Sequence, residues 1–229
     1  MKQLLFAFLI VSSFAAQGQE LTYDDWKKES ATNIRLLPAY GHRKKTDAQK
    51  IADMKFIKES LEAETSARKA SGHMVRLGWN YFYKGDIRTA MYRFNQAWLL
   101  DSTNADSYWG FGAIYSYFMD EERALEMYDK GLAIEPNSAN LLTDKGTIYF
   151  GRLYRNIDEM NKQMAMDLFN RSLTIEPRNQ NTLFKLSALY FLLGDCENAK
   201  KYYNECEKFG GAPITEQYTK DLRKKCGKS

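Results

Sequence analysis

The segments 78–98, GWNYFYKGDIRTAMYRFNQAW, and 112–132, GAIYSYFMDEERALEMYDKGL, are two versions of one pattern that lie 34 residues apart. Each begins with a glycine and has a tyrosine three positions later, an alanine at twelve, an aromatic residue at sixteen and a small residue at nineteen. Self-similarity with a period of about 20–50 residues predicts stacked structural units that share one continuous core.

Two further copies follow along the chain. The third contains Gly146, Tyr149, Ala165, Phe169, Ser172 and Pro177, and the fourth contains Leu186, Tyr190, Gly194, Ala199, Tyr203 and Cys206. In 87–100 the apolar residues recur at i, i+3, i+4 and i+7, which predicts an amphipathic helix. The order small, aromatic, glycine, alanine, aromatic, small, proline resembles the tetratricopeptide repeat family. This resemblance implies an all-α, right-handed α-solenoid of four helical hairpins.

The repeat pattern divides the chain into four units, 71–104, 105–138, 139–179 and 180–213. The third unit is seven residues longer than the second, and the extra residues fall in 152–163. We expect longer helices or a protruding elbow there, either on a binding face or as a tolerated surface loop. The segment 214–229, which follows Pro213, predicts a polar amphipathic helix that caps the stack.

The N-terminal segment 1–18 has the features of a secretory signal peptide. Lys2 precedes the apolar run 4–11, LLFAFLIV, and small residues allow cleavage after Ala15 or after Gly18. A buried N-terminal helix is the alternative. Because the first cysteine is Cys196, we expect no lipoprotein anchor, and the apolar run is too short to be a permanent transmembrane span. The mature chain is therefore expected to be exported, in the periplasm or outside the cell.

Residues 19–70 predict a helical extension before the repeats. A short helix is expected near Asp24, a basic loop occupies 38–45, and Thr46 or Asp47 caps a longer helix. The extension either covers the first end of the stack or folds back into the groove and inhibits it.

The three cysteines, Cys196, Cys206 and Cys226, all lie near the C-terminus. If the capping helix runs antiparallel to the preceding helix, with the turn near Gly210 and Gly211, Cys196 and Cys226 are equally distant from the turn. That pair is the expected disulfide. Three free thiols are the alternative.

Composition and motifs give no indication of catalysis. The net charge of +4 is too small to predict nucleic-acid binding. The only histidines are His42 and His73, and no metal-ligand spacing, nucleophile elbow or phosphate-binding loop occurs. We therefore expect no cofactor, no metal and no enzymatic activity.

The family resemblance implies that the first helix of each hairpin lines a concave surface. At positions where some family members hold an acidic C-terminal tail with lysine, asparagine and arginine, this chain has Val75, Trp79, Trp109 and Ala113. The candidate partner-binding residues are instead aromatic: Trp79, Phe82, Tyr83, Trp109, Tyr117, Phe150, Phe184 and Phe191. The expected function is an envelope adaptor or scaffold that binds a peptide or protein segment. A carbohydrate-binding helper and a structural subunit with an occupied groove are the alternatives.

Overall fold

A computed structural model describes residues 21–227, and the regular elements in that range are helical. The predicted signal segment 1–18 lies outside the described residues. The eleven α-helices of this range are α1 (Tyr23–Thr32), α2 (Asp47–Ala63), α3 (Ala67–Tyr83), α4 (Ile87–Leu100), α5 (Ala105–Tyr117), α6 (Glu121–Ile134), α7 (Ala139–Arg155), α8 (Glu159–Ile175), α9 (Gln180–Leu193), α10 (Cys196–Lys208) and α11 (Glu216–Cys226). Two short segments with the hydrogen bonding of 3-10 turns lie between α1 and α2: Ile34–Leu36, and Pro38–His42, whose residues 39–42 have positive φ.

Helices α3 to α10 form four hairpins, each made of two sequential helices that pack most closely on each other. The predicted all-α solenoid of four hairpins, with helices before it and a capping helix after it, is confirmed. Within residues 21–227, no helix is both long enough and apolar enough to cross a bilayer.

The turn inside each hairpin follows one chemical rule. In each hairpin the second helix begins after an aspartate N-cap, whose side chain accepts a hydrogen bond from the backbone N–H three residues later. The four caps are Asp86, Asp120, Asp158 and Asp195. In the first and fourth hairpins a glycine with φ of 77° or 80° precedes this cap. The second hairpin has Met119 at that place, with φ of 61°. A left-handed backbone at a side chain as large as methionine stores strain.

The repeated glycines let the two helices of a hairpin approach each other. Gly78, Gly112 and Gly146 lie directly against the rings of Phe94, Tyr128 and Phe169, respectively. In the fourth hairpin no glycine stands at the corresponding position. Ser187 takes the place, and its hydroxyl donates a hydrogen bond to the carbonyl oxygen of Ala199 at 2.7 Å.

The extra residues of the third unit lengthen both of its helices. Helices α7 and α8 each have 17 residues, whereas α5 has 13 and α6 has 14. The added turns are tied to the neighbouring hairpin, because Arg152 and Arg155 both bind Glu121. Tyr154, near the end of α7, remains 73% exposed. The insertion therefore forms a protruding elbow.

The C-terminal helix α11 packs on the last hairpin. Leu222 is buried beneath it, and the Tyr218 hydroxyl lies 2.6 Å from the Ser187 hydroxyl. A disulfide joins Cys196 to Cys226, with their Cα atoms 5.3 Å apart. The remaining cysteine, Cys206, is a buried free thiol.

Candidate partner-binding groove

The first helices of the four hairpins form one continuous surface. Helices α3, α5, α7 and α9 pack against one another in succession, whereas α4, α6 and α8 pack mainly on the first helices at either side. A stack whose first helices lie closer together than its second helices curves toward the first helices. The surface formed by α3, α5, α7 and α9 is therefore the concave one, and we call it the groove.

Five of the predicted residues form a connected aromatic cluster in this groove. The ring centroids of Trp79 and Trp109 are 4.2 Å apart, and Trp79 also lies 5.5 Å from Phe82 and 5.8 Å from Tyr83. Phe82 continues the cluster to Tyr117 at 6.3 Å. These five residues are called the aromatic cluster below.

The two tryptophans of the cluster are held in different ways. The indole N–H of Trp109 donates a hydrogen bond of 2.6 Å to Asp144, which lies on α7. The indole N–H of Trp79 is buried without an acceptor among residues 21–227, so packing alone holds this ring, 5.4 Å from the buried Phe94. The cluster is therefore built into the hairpin core on one side.

The other side of the cluster faces solvent. Tyr83 is 77% exposed and Tyr117 is 40% exposed, while Trp79, Phe82 and Trp109 are half-buried. Tyrosine and tryptophan surfaces that are rigidly held and partly exposed are where binding energy concentrates in interfaces. The aromatic cluster has the geometry of such a surface.

The other three predicted residues do not join the cluster. Phe184 and Phe191 both pack edge-on against Tyr218 of α11, at 5.2 and 5.7 Å. The Lys225 ammonium donates to the carbonyl oxygen of Phe191 at 2.7 Å and lies over its ring. Phe150 is half-buried against the core between α7 and α8. The capping helix thus uses two of the rings that the sequence assigned to the groove.

Two charged residues follow the aromatic cluster along the groove. Burial raises the pKa of Asp144. The hydrogen bond from Trp109 and the positive charge of Lys185 on α9 act in the opposite direction and limit this rise. Burial lowers the pKa of Lys185, and the negative charge of Asp144 limits this decrease. The charge of Asp144 also contributes, after burial, to a raised pKa of Tyr83. The groove therefore combines an aromatic half with a half that carries one carboxylate and one ammonium group.

The described part of the N-terminal extension does not occupy the groove. The Trp26 ring of α1 packs at 5.1 Å from Phe118, where α5 ends, and Glu29 forms an ion pair with Arg88 of α4. The buried Asn95 of α4 accepts the backbone N–H of Tyr40 and donates to the carbonyl oxygens of Arg35 and Leu37. Residues 21–45 therefore lie on the second-helix side of the first hairpin and leave the aromatic cluster open.

The two histidines lie in different surroundings. His73 lies 3.6 Å from Glu64 near the start of α3, and His42 lies edge-on to Trp98 at 5.8 Å. Among residues 21–227, no group of three or more His, Cys, Asp or Glu side chains has the arrangement of a metal site.

Sequence reasoning missed three residues that shape this region: Asp144, Lys185 and Asn95. Lys185 gave a signal, because it is the one charged residue of α9, whereas Asp144 gave none, because it lies directly before Lys145 in the sequence. Asn95 gave a weaker signal, since an amide side chain on an amphipathic helix is usually exposed and Gln96 lies next to it.

Comparisons with known proteins agree with this architecture. The Tetratricopeptide repeat family profile matches residues 181–209. The chain is similar in structure to Pseudomonas aeruginosa PilF, with 17% identity and a TM-score of 0.58 over 69% of this chain and 68% of that chain. It is also similar to TTC0263, a thermophilic TPR protein of Thermus thermophilus, with 16% identity and a TM-score of 0.56 over 68% of this chain and 80% of that chain. No curated protein matches the sequence. The chain thus has the helical-hairpin fold of these tetratricopeptide repeat proteins, and its segment 181–209 matches the repeat profile.

Proposed function

We propose that this chain is a non-catalytic scaffold of the cell envelope that binds an extended peptide or protein segment in its groove. The aromatic cluster is the observation that carries the proposal. Five rings from two hairpins meet on the concave surface, and Tyr83 and Tyr117 are presented to solvent. Apolar or aromatic side chains of the partner would lie on these rings.

The charged half of the groove supports an extended peptide backbone as the ligand. Asp144 offers a carboxylate acceptor and Lys185 an ammonium donor, on neighbouring first helices beyond Trp109. A peptide that runs along the groove carries both N–H and C=O groups, so it can satisfy both. The aromatic cluster would supply most of the binding energy, and the charged pair would fix the register.

The envelope location and the division of the chain belong to the same proposal. The signal-like segment 1–18 and the Cys196–Cys226 disulfide both fit an oxidising compartment. We assign 19–70 to an extension that braces the first hairpin, 71–213 to the binding solenoid and 214–229 to its cap. Mass spectrometry of the mature protein tests export, since cleavage is expected after Ala15 or Gly18.

The binding proposal is tested by selecting peptides from a random display library against the full mature chain. We expect selected peptides rich in apolar or aromatic residues that quench tryptophan fluorescence. Tyr83→Ser should weaken their binding by about tenfold, because one hot-spot side chain contributes about 1–2 kcal/mol. Tyr154→Ser is the matched control, since Tyr154 is 73% exposed but lies on the elbow outside the aromatic cluster.

Two outcomes would contradict the proposal. Equal effects of the two tyrosine variants would show that the aromatic cluster is not the binding surface. A fluorescence response to oligosaccharides but not to any selected peptide would favour the carbohydrate-binding alternative instead.

A further inference from the structure

A second concave site lies outside the groove, on the opposite side of the first hairpin. It is a cavity of about 470 Å³ between α2, the two 3-10 turns and α4. Its walls include the apolar side chains of Ile34, Ala48, Ala52 and Phe56. Small-molecule sites in proteins have volumes of about 300–1,000 Å³ and mostly apolar walls.

One wall of this cavity is fixed by an unusual backbone. Ala39, Tyr40, Gly41 and His42 all have φ between 50° and 63°. Left-handed backbone at residues with a Cβ atom persists only where the surroundings impose it. Here the fully buried amide of Asn95 imposes it, through one hydrogen bond from Tyr40 N–H and two bonds to carbonyl oxygens upstream. The wall that presents Tyr40 to the cavity is therefore preformed.

The opposite wall is loosely packed. Helix α2 has no buried residue, although it is capped at its start by a full capping box between Thr46 and Gln49. Its cavity side carries Ala48, Ala52 and Phe56, which leave space rather than fill it. An occupant of the cavity would therefore add contacts to α2.

The charges around the cavity favour an anion at its mouth. The Lys45 ammonium is paired with Asp53 and lies 3.3 Å from the centroid of the Tyr40 ring, so these two charges compensate each other. The Arg35 guanidinium lies 3.9 Å above the Tyr92 ring. Within the cavity wall, this leaves the charge of Arg35 without a carboxylate to balance it.

We propose that this cavity binds a small anionic amphiphile, with a carboxylate at Arg35 and an unbranched apolar chain between Ala52, Phe56 and Ile34. A medium-chain fatty acid has this chemistry. The chain would replace the missing packing under α2, and the carboxylate would pair with the guanidinium on Tyr92. This site is independent of the groove, so it stands or falls separately from peptide binding.

The test is calorimetric titration of the full mature chain with decanoate and with decanol, both below their micellar or solubility limits. We expect decanoate to bind and decanol to bind about tenfold or more weakly, since a charge-assisted hydrogen bond is lost. Arg35→Gln should weaken decanoate binding to the level of decanol. Lys44→Gln is the matched control, because it removes the same charge from the neighbouring loop without touching the cavity.

A second pair of variants tests the location of the apolar chain. Ala52→Trp fills the cavity and should abolish decanoate binding, whereas Ile51→Trp adds the same ring on the 62% exposed side of α2 and should not. Decanoate should also slow amide hydrogen exchange in α2. Absence of decanoate binding, equal binding of decanol, or equal effects of the two tryptophan variants would overturn the proposal.

Discussion

Substitution of Gly112 by alanine should destabilise the fold, although alanine is the better helix former. A Cβ atom at Gly112 would lie 2.5 Å from Cδ1 of Tyr128 and closer still to Cε1. The Tyr128 ring is 1% exposed, and its hydroxyl is 3.1 Å from the Ser116 hydroxyl, so it has little room to move. Overpacking of this kind costs about 1–3 kcal/mol. The contact is close enough to place this cost at the upper end, about 3 kcal/mol. The gain from helix propensity is about 1 kcal/mol, so the net loss should be about 2 kcal/mol.

The matched control for this prediction is Gly72→Ala in α3. The nearest atom to a Cβ at Gly72 is an Arg76 guanidinium nitrogen at 3.8 Å, which is ordinary contact. This variant should therefore stabilise the chain by about 0.5–1 kcal/mol. Urea denaturation followed by far-UV circular dichroism measures both changes. If Gly112→Ala were as stabilising as Gly72→Ala, the helix packing and the register described for the second hairpin would be refuted.

Three further predictions concern other parts of the molecule. Met119→Gly should raise the free energy of unfolding by about 1 kcal/mol, because it removes a left-handed methionine from a turn where other hairpins have glycine; an unchanged urea midpoint would contradict this. The double variant Cys196→Ser, Cys226→Ser should lose about 3–4 kcal/mol in the same assay, since the bond closes a 30-residue separation; no loss would show that the cap does not depend on the bond. Burial raises the pKa of Asp144 in the folded chain above its pKa in the unfolded chain. The folded state therefore loses stability as the pH rises from the unfolded pKa through the folded pKa. Asp144→Asn should therefore be more stable than the parent at pH 7, and this advantage should vanish below about pH 4; an advantage independent of pH would refute it.

The repeat architecture was predictable because its determinants are local and periodic. Spacing alone identified Gly112 and Tyr128 as repeat positions, and the structure places them in direct contact. In the fourth unit, 180–213, the corresponding position is Ser187 instead of a glycine. A serine can take this place because its hydroxyl bonds to the Ala199 carbonyl instead of crowding the opposite helix.

The site was less predictable than the fold, since it depends on contacts between distant segments. The family pattern placed Phe184 and Phe191 in the groove, but α11 packs on them, and no periodicity in the solenoid encodes that contact. The path of residues 21–45 was equally hidden, because it depends on one buried amide, Asn95, in the middle of α4. The aromatic cluster itself was visible, because its five members all lie on the first two hairpins.

Site-specific photocrosslinking tests the binding role of the aromatic cluster most directly. The photoreactive residue p-benzoylphenylalanine would replace Tyr83 in one strain and Tyr154 in another, and both strains would express the full chain. Both positions are exposed, at 77% and 73%, so each tolerates the larger side chain. We predict a discrete protein adduct from position 83 that position 154 does not give, and Trp109→Ala should abolish it. No adduct at position 83, or the same adducts at both positions, would contradict the role of the groove.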